Sequence, residues 1–175
     1  KTFCIVTLIE IFYNLGQTIL LTSYTNSAVD NILRRLSKEF TLGKILRIGP
    51  SVDKSSSKFT LAEHLKQGLT IKEAYEQIPI VAATSSTVSS HPLFANRRFD
   101  VAIVDEATQV QELLSISPLL CCSKFILVGD SKQLNPLITS KLCRAEGMAE
   151  SLFSKFESAH PASVTTLNEQ FRMNK

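Results

Sequence analysis

The chain reads as an α/β domain built on a mostly parallel, doubly wound sheet. Short apolar runs alternate along its length with segments of helical periodicity, the layout of strand–helix–strand units. Small polar or acidic residues follow four of these runs: Thr22-Ser23-Tyr24, Thr84-Ser85-Ser86, Asp105-Glu106 and Gly129-Asp130. Doubly wound sheets bind ligands at the carboxyl ends of their strands, so this recurrence points to a binding rim.

Ile5, Leu8, Ile9 and Phe12 recur at helical spacing and predict a helix over 3–15 that ends at Gly16. TILLT (18–22) has the length and composition of a buried strand. Ser27-x-x-Asp30 reads as a helix start, and Val29, Ile32, Leu33 and Leu36 mark that helix's apolar face. KILRI (44–48) reads as a strand, serine-rich 50–58 as an exposed loop, and 60–77 as one or two polar helices. IPIVAAT (78–84), DVAIV (100–104) and KFILVGD (124–130) are strand-like, whereas 110–117 and 145–157 carry helical patterns. VTTLN (164–168) would be a last strand. The sequence shows neither an internal repeat nor a second domain.

At 175 residues, 44% hydrophobic and 20% charged, the composition is that of one globular domain and excludes a disordered chain. A net charge of +3 admits nucleic acid as a partner without requiring it. The four cysteines, at 4, 121, 122 and 143, form no C-x-x-C pair and read as reduced core thiols of an intracellular protein. No apolar stretch reaches the ~18 residues of a membrane span. The N-terminus lacks the charged-then-apolar layout of a leader. A membrane partner is therefore not expected.

Asp105-Glu106 at a strand end is either a solvated turn or a metal–nucleotide site. In the second case one carboxylate holds Mg²⁺ through its water shell, and the other orients or deprotonates a water. Lys1-Thr2, directly before an amphipathic helix, matches the end of a phosphate-binding loop, whose lysine reaches phosphates and whose hydroxyl meets Mg²⁺. Alone, such a lysine would be a solvated terminus. In ILVGDSKQLNPLI (126–138), Gly129 permits close backbone approach, Asp130 ends the strand, and Gln133 offers an amide to a phosphate oxygen and to water. A plain Gly-Asp turn is the alternative. In NEQFRMN (168–174), Arg172 offers a planar fork to a phosphate and Phe171 a flat face to a base. Arg34, Arg35 and Lys38 read as a solvated helix face.

The order KT, TSYTNSAVDN, DEATQ, GDxxQLxP and QFRM resembles the first motor domain of superfamily 1 helicases, in the Upf-like DEAxQ branch. LLTSYTNSAVDNIL (20–33), HPLF (91–94) with RRFDVAIVDEATQ (97–109), and AEGMAESLFSKF (145–156) are similar to one family in particular. That family is the DNA replication ATP-dependent helicase/nucleases that process Okazaki flaps. The resemblance implies a RecA-like P-loop NTPase domain over residues 1–175, without its loop glycines or the second motor domain, and inefficient as an ATPase in this form.

It further implies ATP and Mg²⁺ as cofactors. Lys1 and Thr2 would hold phosphate and metal, Asp105 the metal, and Glu106 would be the catalytic base. Gln133 and Arg172 would meet the γ-phosphate, Phe171 would stack on adenine, and Gln109, Gly129 and Asp130 would line the nucleotide. Thr22, Ser23, Thr25, Thr84 and Ser85 would follow a nucleic-acid strand along its backbone. Implied partners are single-stranded, flap or fork DNA, a second RecA-like domain of the same parent chain, and a single-strand-binding protein. The resemblance places the protein in the nucleus and extends to the mitochondrion. It allows a 4Fe-4S cluster elsewhere in the parent protein and none in this chain. Asn135 in QLNP and the stretch Ser85–Val88 depart from the family pattern, away from the phosphate chemistry.

Overall fold

The computed structural model describes residues 1–50 and 53–169. Its elements run α1 (Thr2–Asn14), β1 (Ile19–Ser23), α2 (Asn26–Leu36), β2 (Ile45–Arg47), then three short helices, α3 (Lys54–Ser57), α4 (Leu61–Lys66) and α5 (Ile71–Gln77). β3 (Ile80–Thr84), α6 (Ser85–Ser90), α7 (Leu93–Asn96), β4 (Phe99–Asp105), α8 (Glu112–Leu120) and β5 (Cys122–Leu127) follow. α9 (Lys141–Ala145) and α10 (Leu152–Ala159) close the described chain. Among the described residues the strands form one sheet, in the order β2-β3-β1-β4-β5, and every pairing is parallel.

Side chains alternate across a strand, so both faces of the sheet must be covered. On one face Ile19, Leu21, Ile80, Ala82, Val101 and Ile103 pack against Ile5 and Ile9 of α1 and Val29, Ile32, Leu33 and Leu36 of α2. The other face carries Leu20, Val81, Ala83 and Ala102, covered by Ala74, Val88, Leu93 and Phe94 from the helices between β2 and β4. The periodic residues expected on the first two helices are thus the ones that face the sheet. Register then decides where the strands end. Ser23 lies beside Thr84 on one side and Asp105 on the other, so three of the four polar stretches finish at one rim.

Several expectations need correction. α2 is capped by Thr25, whose hydroxyl accepts from the Ala28 amide, and not by Ser27; Asp30 is taken instead by a buried ion pair. The region expected as loop over 50–58 includes a helical turn, because Asp53 accepts from the Ser55 amide and starts α3. Residues 60–77 form two helices, the second started by a capping box between Thr70 and Glu73. The helix expected over 145–157 is interrupted: Gly147 takes φ 84, a left-handed backbone, and Ser151 then caps α10.

VTTLN forms no strand. Residues 164–168 are exposed, with Val164 and Leu167 open to solvent, and they find no neighbour in the sheet. Local alternation without a hydrogen-bonding partner does not make a strand. The four cysteines are free thiols, but only Cys121 is buried; the others are half-buried. No helix among the described residues is long and apolar enough to cross a membrane.

Candidate functional site

β4 runs buried through the sheet and delivers Asp105 as its last residue. The chain then turns sharply: Glu106 has φ 51, the left-handed region, a backbone that a non-glycine residue adopts only when its surroundings enforce it. The enforcement is visible. The Ala107 amide donates to the Val128 carbonyl at 2.9 Å, and the Gln109 amide to the Glu106 carbonyl at 2.9 Å. This turn aims the Glu106 carboxylate at Lys1, whose ammonium donates to both of its oxygens, at 3.1 and 3.2 Å. Residues 105 positions away in sequence therefore meet at one rim. Gln109 leans on the same carboxylate, its amide 3.5 Å from Oε2.

Asp105 itself is 7% exposed, and its Oδ1 has no hydrogen-bond partner among the described residues. Burial, and then the charge of Glu106, push its carboxyl above the usual carboxylate range. Lys1 opposes that shift, so its charge reaches Asp105 as well. Two hydroxyls nearby in the fold, Ser23 Oγ on the adjoining strand and Thr108 Oγ1, are also buried without partners. A buried carboxylate oxygen lacking a donor suits a hydrated cation, so Asp105 fits Mg²⁺. Among the described residues no three His, Cys, Asp or Glu converge on a metal. Mg²⁺ is usually held by one or two carboxylates plus phosphates and water.

The loop after β5 completes this end of the rim. The Gln133 amide group donates to Asp130 Oδ2 at 2.6 Å, and the Lys132 backbone donates to Oδ1 at 3.0 Å. These two bonds, ahead of the charges of Lys1 and Lys132, hold the Asp130 carboxyl below its ordinary range. Sequence reading gave Gln133 a direct phosphate role; the structure adds Asp130 as the group that orients it, a link the three-residue spacing of D-x-x-Q would have suggested. Gly129 has a different reason from the one expected. A Cβ there would lie 2.9 Å from Thr108 Cγ2 and 3.2 Å from the Phe153 ring, so the glycine admits α10 and the post-β4 turn to each other.

Thr2 opens α1, which carries no side-chain cap and no acidic residue in its first turn. Its N-terminal amides and positive dipole end thus remain available to an anion. Phe171 and Arg172 lie outside the described residues.

The residues expected along nucleic acid lie at the same carboxyl edge, but most of their hydroxyls turn inward. Thr22 and Ser23 are fully buried, and Thr22 shares a hydrogen bond with Ser85 at 3.3 Å. Thr25 caps α2, and Thr84 caps α6 by accepting from the Thr87 amide. What this edge exposes is Tyr24 (42% exposed), Thr25 and Ser86.

A five-stranded parallel sheet with this carboxyl rim defines a RecA-like α/β domain. The UvsW helicase of bacteriophage T4 shares the fold, with a TM-score of 0.51 over 85% of this chain and 48% of that one, at 18% identity. The AAA domain family matches residues 53–141, just over half of the sequence, and the chain belongs to that family. It is 43% identical over 179 residues to the DNA replication ATP-dependent helicase/nuclease DNA2 of Xenopus laevis, which accounts for 99% of this chain and 17% of that protein. The human protein of the same name is 40% identical over 99% of the chain, and that of Saccharomyces cerevisiae 35% over 99%. The chain spans 17% of the length of the Xenopus and human relatives and 12% of the yeast one.

Proposed function

We propose that residues 1–175 are the first RecA-like motor domain of an ATP-dependent 5′–3′ DNA helicase, part of a helicase/nuclease of replication and repair. One observation carries the reading: Lys1 and Glu106 are in contact, and the charge of Lys1 acts on both Asp105 and Asp130, the residue that holds Gln133. Such a rim accepts a triphosphate at the open N-terminus of α1. Lys1 leaves Glu106 to meet the phosphates. Thr2 and Asp105 would hold Mg²⁺. When bound, the metal neutralises charge on the phosphate oxygens. Glu106, freed from Lys1, takes the proton of the attacking water while Gln109 and Gln133 orient it. Arg172 and Phe171, by family likeness, serve the γ-phosphate and the adenine.

The single strand runs across this edge at Tyr24, Thr25 and Ser86, the exposed residues of segments 22–25 and 84–86, whose main-chain and hydroxyl groups hold a phosphate backbone without reading sequence. A second RecA-like domain of the parent chain closes on this rim, and each closure steps the pair along the strand. Flap or fork DNA, a single-strand-binding protein and a nuclear location, extending to the mitochondrion, belong to the same reading and rest on the family resemblance; the relatives' names support DNA replication.

The test is ATP hydrolysis by the full-length protein with single-stranded DNA and with RNA of the same sequence, alongside unwinding of matched duplexes. DNA should stimulate turnover and RNA should not. Preference for RNA overturns the choice of substrate, and stimulation by neither overturns the motor.

A further inference from the structure

At the rim's far end from Lys1, a charged side chain sits where an apolar strand residue would be expected. Arg47, the last residue of β2, is 1% exposed. Its guanidinium donates through Nε to Asp30 Oδ1 at 3.0 Å and through Nη2 to Asn26 Oδ1 at 2.7 Å and the Pro50 carbonyl at 3.0 Å; Nη1 donates to the Ile48 carbonyl. Two of these acceptors are side chains of α2, and two are carbonyls of the chain leaving β2. Asp30 also accepts from the Asp53 amide at 3.3 Å, which ties in the start of α3.

Gly49 lies between the two carbonyls at φ 99; a Cβ there would sit 3.4 Å from both Arg47 Nη1 and Thr87 Oγ1. Thr87 in turn bonds the Thr84 hydroxyl at 2.9 Å. One planar fork therefore gathers the segments that follow β1 and β2, and Gly49 packs close to Thr87 in the segment that follows β3. A lysine, with a compact point charge, would not span these diverging acceptors. A well-packed apolar residue would serve stability as well or better, because desolvating such a pair costs much of what it returns. The retained polarity specifies a geometry.

We propose that Arg47 is a positioning residue for nucleic-acid binding. By holding Asn26, the first residue of α2, it fixes the exposed Tyr24 and Thr25 immediately before it against Ile48–Pro50 and the start of α6. This rests on the motor reading above, since it assumes that the strand crosses this edge.

Truncating Arg47 or Asp30 would leave a buried charge unpaired and unfold the domain, so Asn26 is the informative position. In the full-length protein, binding of a fluorescein-labelled oligo-dT strand is measured by anisotropy, with ATP hydrolysis measured without any strand. Asn26→Ala removes one of the two acceptors of Arg47 Nη2 and leaves the Pro50 carbonyl. Strand affinity should fall by at least about tenfold, the low end of the worth of one hydrogen bond to a charged group, with strand-independent hydrolysis and the KM for ATP unchanged. Asn26→Asp keeps an acceptor at the same place and suits a helix N-terminus, so affinity should return to that of the wild type. If Asn26 touched the strand itself, the added negative charge would weaken binding more than alanine does, and the positioning role would be refuted. Wild-type affinity in Asn26→Ala, or a parallel loss of strand-independent hydrolysis, would refute it too. A wild-type protein that binds no oligonucleotide overturns the motor reading, and this assignment with it.

Discussion

Glu106→Gln separates the two jobs that the proposed mechanism gives to one carboxylate. It removes the group placed to accept a proton and also releases Lys1, whose ammonium is bonded to both oxygens at 3.1 and 3.2 Å. A positioned general base contributes about 10²–10⁴-fold, so turnover of ATP by the full-length protein should fall by that factor. The ion pair is 29% exposed on both sides, which puts it with surface pairs worth about 0.2–1 kcal/mol. In the wild type that energy opposes the transfer of Lys1 to phosphate. Its removal should therefore tighten ATP binding slightly, by up to about fivefold. For the same reason the melting temperature should drop by no more than about 2–4 °C. Stopped-flow binding of a fluorescent ATP analogue together with steady-state phosphate release reads both effects. Turnover within tenfold of the wild type would show that Glu106 is not the base. Nucleotide affinity that collapses would show that the pair supports the site and does not compete with it.

Asp105→Asn should remove the metal-binding oxygen and abolish hydrolysis, yet stabilise the domain at neutral pH. Its carboxyl is held above the ordinary range, so ionisation costs the folded state more than the unfolded one at pH above the folded pKa. That penalty vanishes once both states are protonated; calorimetry should find the gain at pH 7 and lose it as the pH falls below the unfolded carboxylate pKa. Asp100 runs the other way: the Thr18 amide and hydroxyl bond it at 2.7 and 2.8 Å and lower its pKa. Its contribution is present above the unfolded pKa and lost as the pH drops through the folded one, so Asp100→Asn should flatten the acid limb of the stability curve. Gly129→Ala must displace Thr108 or Phe153 and should cost about 1–3 kcal/mol by denaturant titration. Ile9→Ala, in the fully buried face of α1, should cost about 2–5 kcal/mol by the same measurement.

The sheet was legible because its strands are nearly pure apolar runs, and a parallel sheet covered on both faces requires that pattern. Helix faces were legible for a related reason: the period that placed Ile5 and Ile9 on one stripe is a property of local geometry. Local signals ran out where the deciding partner was distant. Asp30 looked like a capping residue and is the counter-ion of Arg47; nothing within either segment announces the other, although a lone charge in each apolar pattern hinted at a pair. VTTLN looked like a strand and lacks a neighbour. Gly129 was expected to permit a close approach to the backbone, and only the fold shows that Thr108 and Phe153 make one.

The types of residue at the rim, and their order along the chain, were set by sequence alone, because acids, an amide and a lysine keep their chemistry wherever the backbone carries them. Whether they act on one another is a matter of register and turn. Parallel pairing brings Ser23 level with Asp105, and the left-handed backbone at Glu106 swings its carboxylate onto Lys1. Both depend on long-range hydrogen bonds and packing, which no local stretch of sequence encodes.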